Sequence, residues 1–167
     1  MSKIKELREQ MEEEAFYRHS KQEEWDRFYV GLARYMSLRS KDPSTKTGAV
    51  IVRPDKSVAS VGYNGFPRGM EDTPELYANR EEKLSRIIHC EMNALMYARE
   101  PVRDYTLYTY PFISCDRCYA HMVQAGIARF VAPYPTTAQN ERWGAAFEKV
   151  RREADKMGLE IEEIEFE

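Results

Sequence analysis

Cysteine is scarce in this 167-residue chain, with three in all: Cys90, Cys115 and Cys118. So small and odd a number supports no disulfide framework and turns attention to metal binding or catalysis. Long apolar runs are also missing, and none approaches the roughly 20 residues that a membrane helix needs. The first residues, Met1-Ser2-Lys3-Ile4-Lys5, lack the apolar stretch of a secretory signal. A cytoplasmic location with no membrane partner is the expectation. Basic excess is absent too: the net charge is −3 and the pI is near 5.8. A general polynucleotide binder carries a basic face that releases counterions from phosphates, so no polynucleotide partner is expected. A mononucleotide needs only one or two well-placed cations. There is no internal repeat and no low-complexity linker.

What remains is an ordinary globular balance of 43% apolar and 32% charged residues, enough for one domain with a real core. Residues 1–19 are dense in charge and read as a helical arm or a frayed extension. Residues 20–167 read as a single domain. Ser20-x-x-Glu23 suggests a capping box opening a helix. Trp25, Phe28, Tyr29, Leu32, Ala33 and Met36 follow at helical spacing, which predicts a buried face. Residues 47–53 and 57–62 read as strands joined by the turn Pro54-Asp55-Lys56, a hairpin. The stretch from Asn64 to about residue 85 reads as a loop. A helix is expected over 89–99, a strand over 105–110, and a short helix from Cys115 that stops at Gly126. A strand over 127–132 comes next. Thr136-x-x-Gln139 then caps a long helix with Trp143, Phe147, Val150 and Ala154 as its stripe, and 159–166 forms a terminal edge strand. The order predicts an α/β fold: a three-layer α-β-α sandwich on a mixed five-stranded sheet. The last helix is long enough for a crossover, so the last two strands should run parallel.

The chemistry sits at two helix starts. His89-Cys90-Glu91 opens one helix, and Cys115-x-x-Cys118 opens another. Residues 92–114 between them suffice for a helix, a strand and two loops. Such a unit returns the second helix beside the first and brings both N-termini to one edge of the sheet. One imidazole and two thiolates there make a three-ligand zinc site whose fourth position stays open for water, as catalytic zinc requires. Helix N-termini favour the thiolates. Zinc lowers the pKa of bound water to about 7. Glu91, two residues beyond His89, can then take a proton from that water and deliver it to a ring nitrogen and a departing amine. In zinc deaminases the hydroxide attacks C4 of cytosine, with a glutamate outside the ligand set as acid and base. Alone, Cys-x-x-Cys or His-x-Glu is weak evidence; together, in this order and setting, they are specific.

The residues also resemble a known family, the deoxycytidylate deaminases of the cytidine deaminase superfamily. Residues 39–49, Arg39-Ser40-Lys41-Asp42-Pro43 and onward to Ala49, look like the family's segment leading into its first strand. Val61-Gly62-Tyr63-Asn64-Gly65-Phe66-Pro67-Arg68-Gly69 looks like its nucleotide loop. Asn79-Arg80-Glu81 with Ile87-Ile88-His89-Cys90-Glu91-Met92-Asn93-Ala94 matches the run into its zinc helix. The resemblance spans roughly residues 24–134. It implies a sheet of the cytidine deaminase type and conversion of dCMP to dUMP with release of ammonia. One catalytic zinc would be held by His89, Cys115 and Cys118, with Glu91 moving protons. It further implies that Asn64 contacts the deoxyribose, that Arg39 helps hold the 5′-phosphate, and that Tyr134 packs near the base. Homo-oligomers, with activation by dCTP and inhibition by dTTP, are common in the family. Two positions depart from its pattern. Cys90 stands where alanine is usual, and Ser114 stands where proline precedes the first cysteine. Ser114 reads as an N-cap for the helix beginning at Cys115.

Simpler readings compete with several of these. Cys90 fits a small buried residue, and His121 fits a helix-surface histidine better than a fourth ligand. Arg39 could be a helix C-terminal cation, and Asn64 could serve the turn before Gly65. Tyr105, Tyr108 and Tyr110 read as strand core. A thioredoxin-like redox protein or an inactive structural zinc module would also use Cys-x-x-Cys, but leaves Glu91 unexplained. Among deaminases, cytidine, dCTP or a modified cytosine nucleotide are alternative substrates.

Overall fold

Two apolar sets alternate along the first strand and recruit helices to both sides of a sheet. The computed structural model describes residues 3–167. Residues 1 and 2 of the expected arm lie outside the described part. In chain order the elements are α1 (Lys3–Ser37), β1 (Gly48–Val52), β2 (Val58–Tyr63), α2 (Pro74–Ala78), α3 (Arg80–Arg86) and α4 (Cys90–Tyr97). They continue with β3 (Thr106–Tyr110), α5 (Asp116–Ala125), β4 (Arg129–Pro133), α6 (Thr137–Met157) and β5 (Glu160–Ile164).

The sheet order is β2-β1-β3-β4-β5. The β1–β2 hairpin and the β1–β3 pair are antiparallel, whereas β3–β4 and β4–β5 are parallel. The expected mixed five-stranded sheet, with its last two strands parallel and β5 at an edge, is what the chain forms. Ala49 and Ile51 of β1 join Leu107, Phe130 and Ala132 against α4, α5 and α6. Val50 and Val52 join Tyr108 and Val131 against α1. This is a three-layer sandwich, and β1 is buried on both faces. Among the described residues no helix is long and apolar enough to cross a membrane.

Two caps behave as the sequence suggests. Thr136 and Gln139 form a complete capping box on α6, and Gly126 ends α5 in the left-handed conformation. Three expectations need correction. First, Ser20-x-x-Glu23 opens no helix. Residues 3–30 contain neither glycine nor proline, so helix propensity carries α1 straight through, and the Ser20 hydroxyl donates to the Tyr17 carbonyl instead. Second, Trp25 and Phe28 are exposed, and the inward face is Asp26, Tyr29, Val30, Ala33 and Ser37. Asp26 turns inward because Arg129 grips both its oxygens at 2.8 Å and the Tyr108 hydroxyl donates to it. A buried carboxylate sets the rotation, which apolar periodicity cannot reveal. Third, the stretch to residue 85 contains α2 and α3. Thr73 before Pro74 and the Asn79 side chain cap them.

Candidate metal centre and cavity

His89 and Cys115 are each the N-cap of a helix, α4 and α5 respectively. At that position a side chain projects off the helix end rather than along its flank. Close packing brings the two ends together. A Cβ on Gly62 of β2 would lie 2.3 Å from the Cys90 carbonyl oxygen, so only glycine lets α4 settle onto the strand. Cys118 lies one turn into α5, under Cys115. Ser114 is therefore not the cap: it stands one residue too early, buried, with its hydroxyl unpartnered. The cysteine that projects from the helix end takes the position the serine was expected to serve.

The ligand atoms of His89, Cys115 and Cys118 all lie within 4.8 Å of one another. His89 Nδ1 is 3.6 Å from Cys115 Sγ and 3.4 Å from Cys118 Sγ. A tetrahedral zinc with ordinary Zn–S and Zn–N bonds would separate such atoms by about 3.6 Å. The donor set fits the ion in both kind and spacing. Among the described residues no fourth histidine, cysteine or carboxylate joins the cluster. His121 is exposed, and its Nδ1 meets the Arg117 carbonyl at 2.6 Å. With Nδ1 of His89 turned to the sulfurs, the ligating tautomer carries its proton on Nε2.

The sulfurs are electrostatically prepared for a cation. The neighbouring Cys118 and His89 hold the Cys115 thiol well below its ordinary value, against the opposing effect of burial. Cys118, next to Cys115 and buried, is pushed up. A bound cation would displace the protons of both thiols. The hydrogen bond with Cys115 raises His89 in turn.

These residues open onto a cavity of about 390 Å³, within the range of small-ligand sites. His89, Cys115 and Glu91 line it, together with Thr47 and Asn64. Glu91 is 5% exposed. Its carboxylate accepts from the Cys90 thiol at 3.2 Å. Asn64 is committed to its own wall: its oxygen accepts from Thr47 N at 2.8 Å, and its amide donates to the Thr45 carbonyl and to Asp42. Asp42 also receives Ser44 N, Thr45 N and Lys83 Nζ.

Of the residues expected at the site, the structure brings His89, Glu91, Cys115 and Asn64 to one cavity, with Cys118 behind the first three. Arg39 it does not bring there. That side chain lines a separate depression with Lys41, Lys46 and Tyr77. Tyr134 is 55% exposed and outside the cavity wall. Sequence reasoning missed the cations Arg80, Lys83 and Arg142, and the aromatic wall of Phe112 and Trp143. Tyr108 is core as expected, and the Tyr110 ring packs on the same α1 side of the sheet, against Phe166. For Arg142 and Trp143 a signal existed: they precede Ala146 and Phe147 by one helical turn on α6, so all four share a face.

The sequence model for the cytidine and deoxycytidylate deaminase zinc-binding region matches residues 23–133. The chain belongs to this family. The "uncharacterized deaminase in luxG 3′ region" of Aliivibrio fischeri is 31% identical to this deaminase over 137 residues, 82% of the chain and 91% of that protein. The deoxycytidylate deaminase of Mus musculus is 32% identical over 114 residues, 65% of the chain and 64% of the mouse protein's length. The fold is that of a solved dCMP deaminase from cyanophage S-TIM5, in apo form. The two superpose with a TM-score of 0.62 at 22% identity, covering 84% of this chain and 98% of that one. The same phage enzyme in complex with dCMP and dUMP gives a TM-score of 0.56 at 20% identity, over 81% and 93% of the two chains.

Proposed function

We propose that this deaminase hydrolyses dCMP to dUMP and ammonia, with zinc on His89, Cys115 and Cys118 and Glu91 as the proton carrier. The observation that carries the reading is Glu91 itself, a buried carboxylate lining the same cavity as the three-donor cluster. Bound zinc supplies a Lewis acid that makes water nucleophilic near neutral pH. The chain's own residues do the rest. Glu91 takes the proton of the attacking water, gives it to N3 of the ring, and passes the second proton to the amine leaving C4. Water and cytosine thereby become uracil and ammonia. Phe112 and Trp143 exclude solvent and face the base, while Asn64, fixed by the 42–47 loop, forms the sugar wall.

The deoxycytidylate deaminases among the relatives, and the phage enzyme solved with dCMP and dUMP, support the choice of substrate. So do Arg80 and Arg142 at the cavity, which can meet a 5′-phosphate. A phosphate role for Arg39 would require its side chain to leave the separate depression and reach the cavity, and a base contact by Tyr134 would require a similar movement. Homo-oligomer formation and control by dCTP and dTTP belong to the same proposal; light scattering with and without each triphosphate tests them.

The deciding experiment scores ammonia release by zinc-loaded protein from a panel of cytosine nucleosides and nucleotides. dCMP should be the best substrate, and Glu91→Gln should lose about 10²–10⁴-fold in rate while keeping its zinc. Turnover of cytidine or dCTP with dCMP inert would overturn the substrate assignment.

A further inference from the structure

Cys90 stands between a metal donor and the proton carrier, and the chemistry above leaves it without a part. It is 2% exposed, yet it lines the cavity beside Thr47 and Glu91. Its sulfur is 3.2 Å from Glu91 Oε2. Neighbouring residues in a helix do not normally face each other. The contact fits the general lean of long helical side chains back toward the N-terminus of their helix. Its direction follows from the groups involved. A carboxylate only accepts, so the Cys90 S–H donates to Oε2. Among the described residues this is the one hydrogen bond that the Glu91 carboxylate receives.

We propose that Cys90 is a positioning residue for Glu91: its thiol holds Oε2 and leaves Oε1 as the oxygen that faces the cavity and carries the proton. The proposal rests on Glu91 being the proton carrier. A thiol suits the task because it is a weak donor. It orients the carboxylate without competing strongly for the charge that must accept a proton. An alanine side chain at this position provides no such donor.

The test uses the infrared S–H stretch of zinc-loaded protein. Zinc leaves Cys115 and Cys118 without protons, so of the three cysteines only Cys90 keeps an S–H. The expected band is single and lowered from that of an unbonded thiol. It should rise in Glu91→Gln, where the acceptor is neutral, and vanish in Cys90→Ala. A band at the unbonded frequency, unmoved by Glu91→Gln, overturns the proposal. Kinetics add a second reading. Cys90→Ala should lower kcat for dCMP roughly threefold to tenfold at unchanged KM and zinc content, with most of the loss restored in Cys90→Ser. An unchanged kcat, or a loss confined to KM or zinc content, counts against it. The two failures are separable. If Glu91→Gln keeps full activity the proton-carrier reading falls, whereas an inactive Glu91→Gln with an unmoved band removes only the role of Cys90.

Discussion

His89 and Cys115 occupy equivalent places on two different helices, each at the residue where the backbone has not yet turned helical. Their short spacings from Glu91 and Cys118 are local properties, so the candidate cluster and the carboxylate beside it were legible in the sequence. Ser114 was not, because its role depended on which of two adjacent residues became the cap. Arg80 and Arg142 were hidden for a different reason: exposed arginines carry no mark of which cavity they will border until the elements are placed. At this scale the sharpest prediction concerns Cys118→Ser. Replacing a soft sulfur donor by a hydroxyl should drop zinc content well below one per chain, measured by metal analysis after desalting. The melting temperature should become insensitive to added zinc, since stabilisation by a ligand requires binding. Full occupancy in the variant would remove Cys118 from the donor set.

Strands and crossover helices were readable because period-2 and period-3.6 patterns, with turn and cap residues between them, survive in the sequence. The rotation of α1 was not, since its inward face carries Asp26 and leaves Phe28 in solvent. Nor were α2 and α3, which are too short for periodicity and announce themselves only through Thr73, Pro74 and Asn79. The contact between α4 and β2 gives the prediction at this level. Gly62→Ala puts a methyl carbon against the Cys90 carbonyl and the Ala94 backbone nitrogen, 2.3 and 2.5 Å away. The helix must move, at a cost of about 1–3 kcal/mol, and His89 moves with it. Urea melts should show the lost stability, and zinc titration should show weaker binding. A variant unchanged in both would mean that α4 is not held by this approach.

Across the whole molecule, the ion pair of Asp26 with Arg129 ties α1 to β4, and the Tyr108 hydroxyl ties it to β3. Burial pushes the Asp26 carboxyl up, but the hydrogen bonds and charge of Arg129, with help from Gln22 and Tyr108, outweigh it and hold the group below its ordinary 3.8. A depressed folded value means that this contribution to stability is complete above the unfolded pKa, near 3.9. It is lost as the pH falls toward the lower folded value. Asp26→Asn, which leaves a mostly buried Arg129 with Glu160 as its remaining charged partner, should cost about 1.5–3 kcal/mol at neutral pH. It should also flatten the acid limb of the stability profile below about pH 4, read by denaturant melts across pH. A variant as stable as the parent, with the same acid limb, would remove this tie from the account.

Asp42 draws together the backbone of Ser44 and Thr45, the amide of Asn64 and the ammonium of Lys83. One carboxylate thus knots three stretches of chain that are far apart in sequence, each of them a wall of the same chamber. A chamber knotted this way has given up its freedom before any guest arrives. It sorts its visitors as a rigid mould does, so a guest of the wrong outline must unpick the knot to enter.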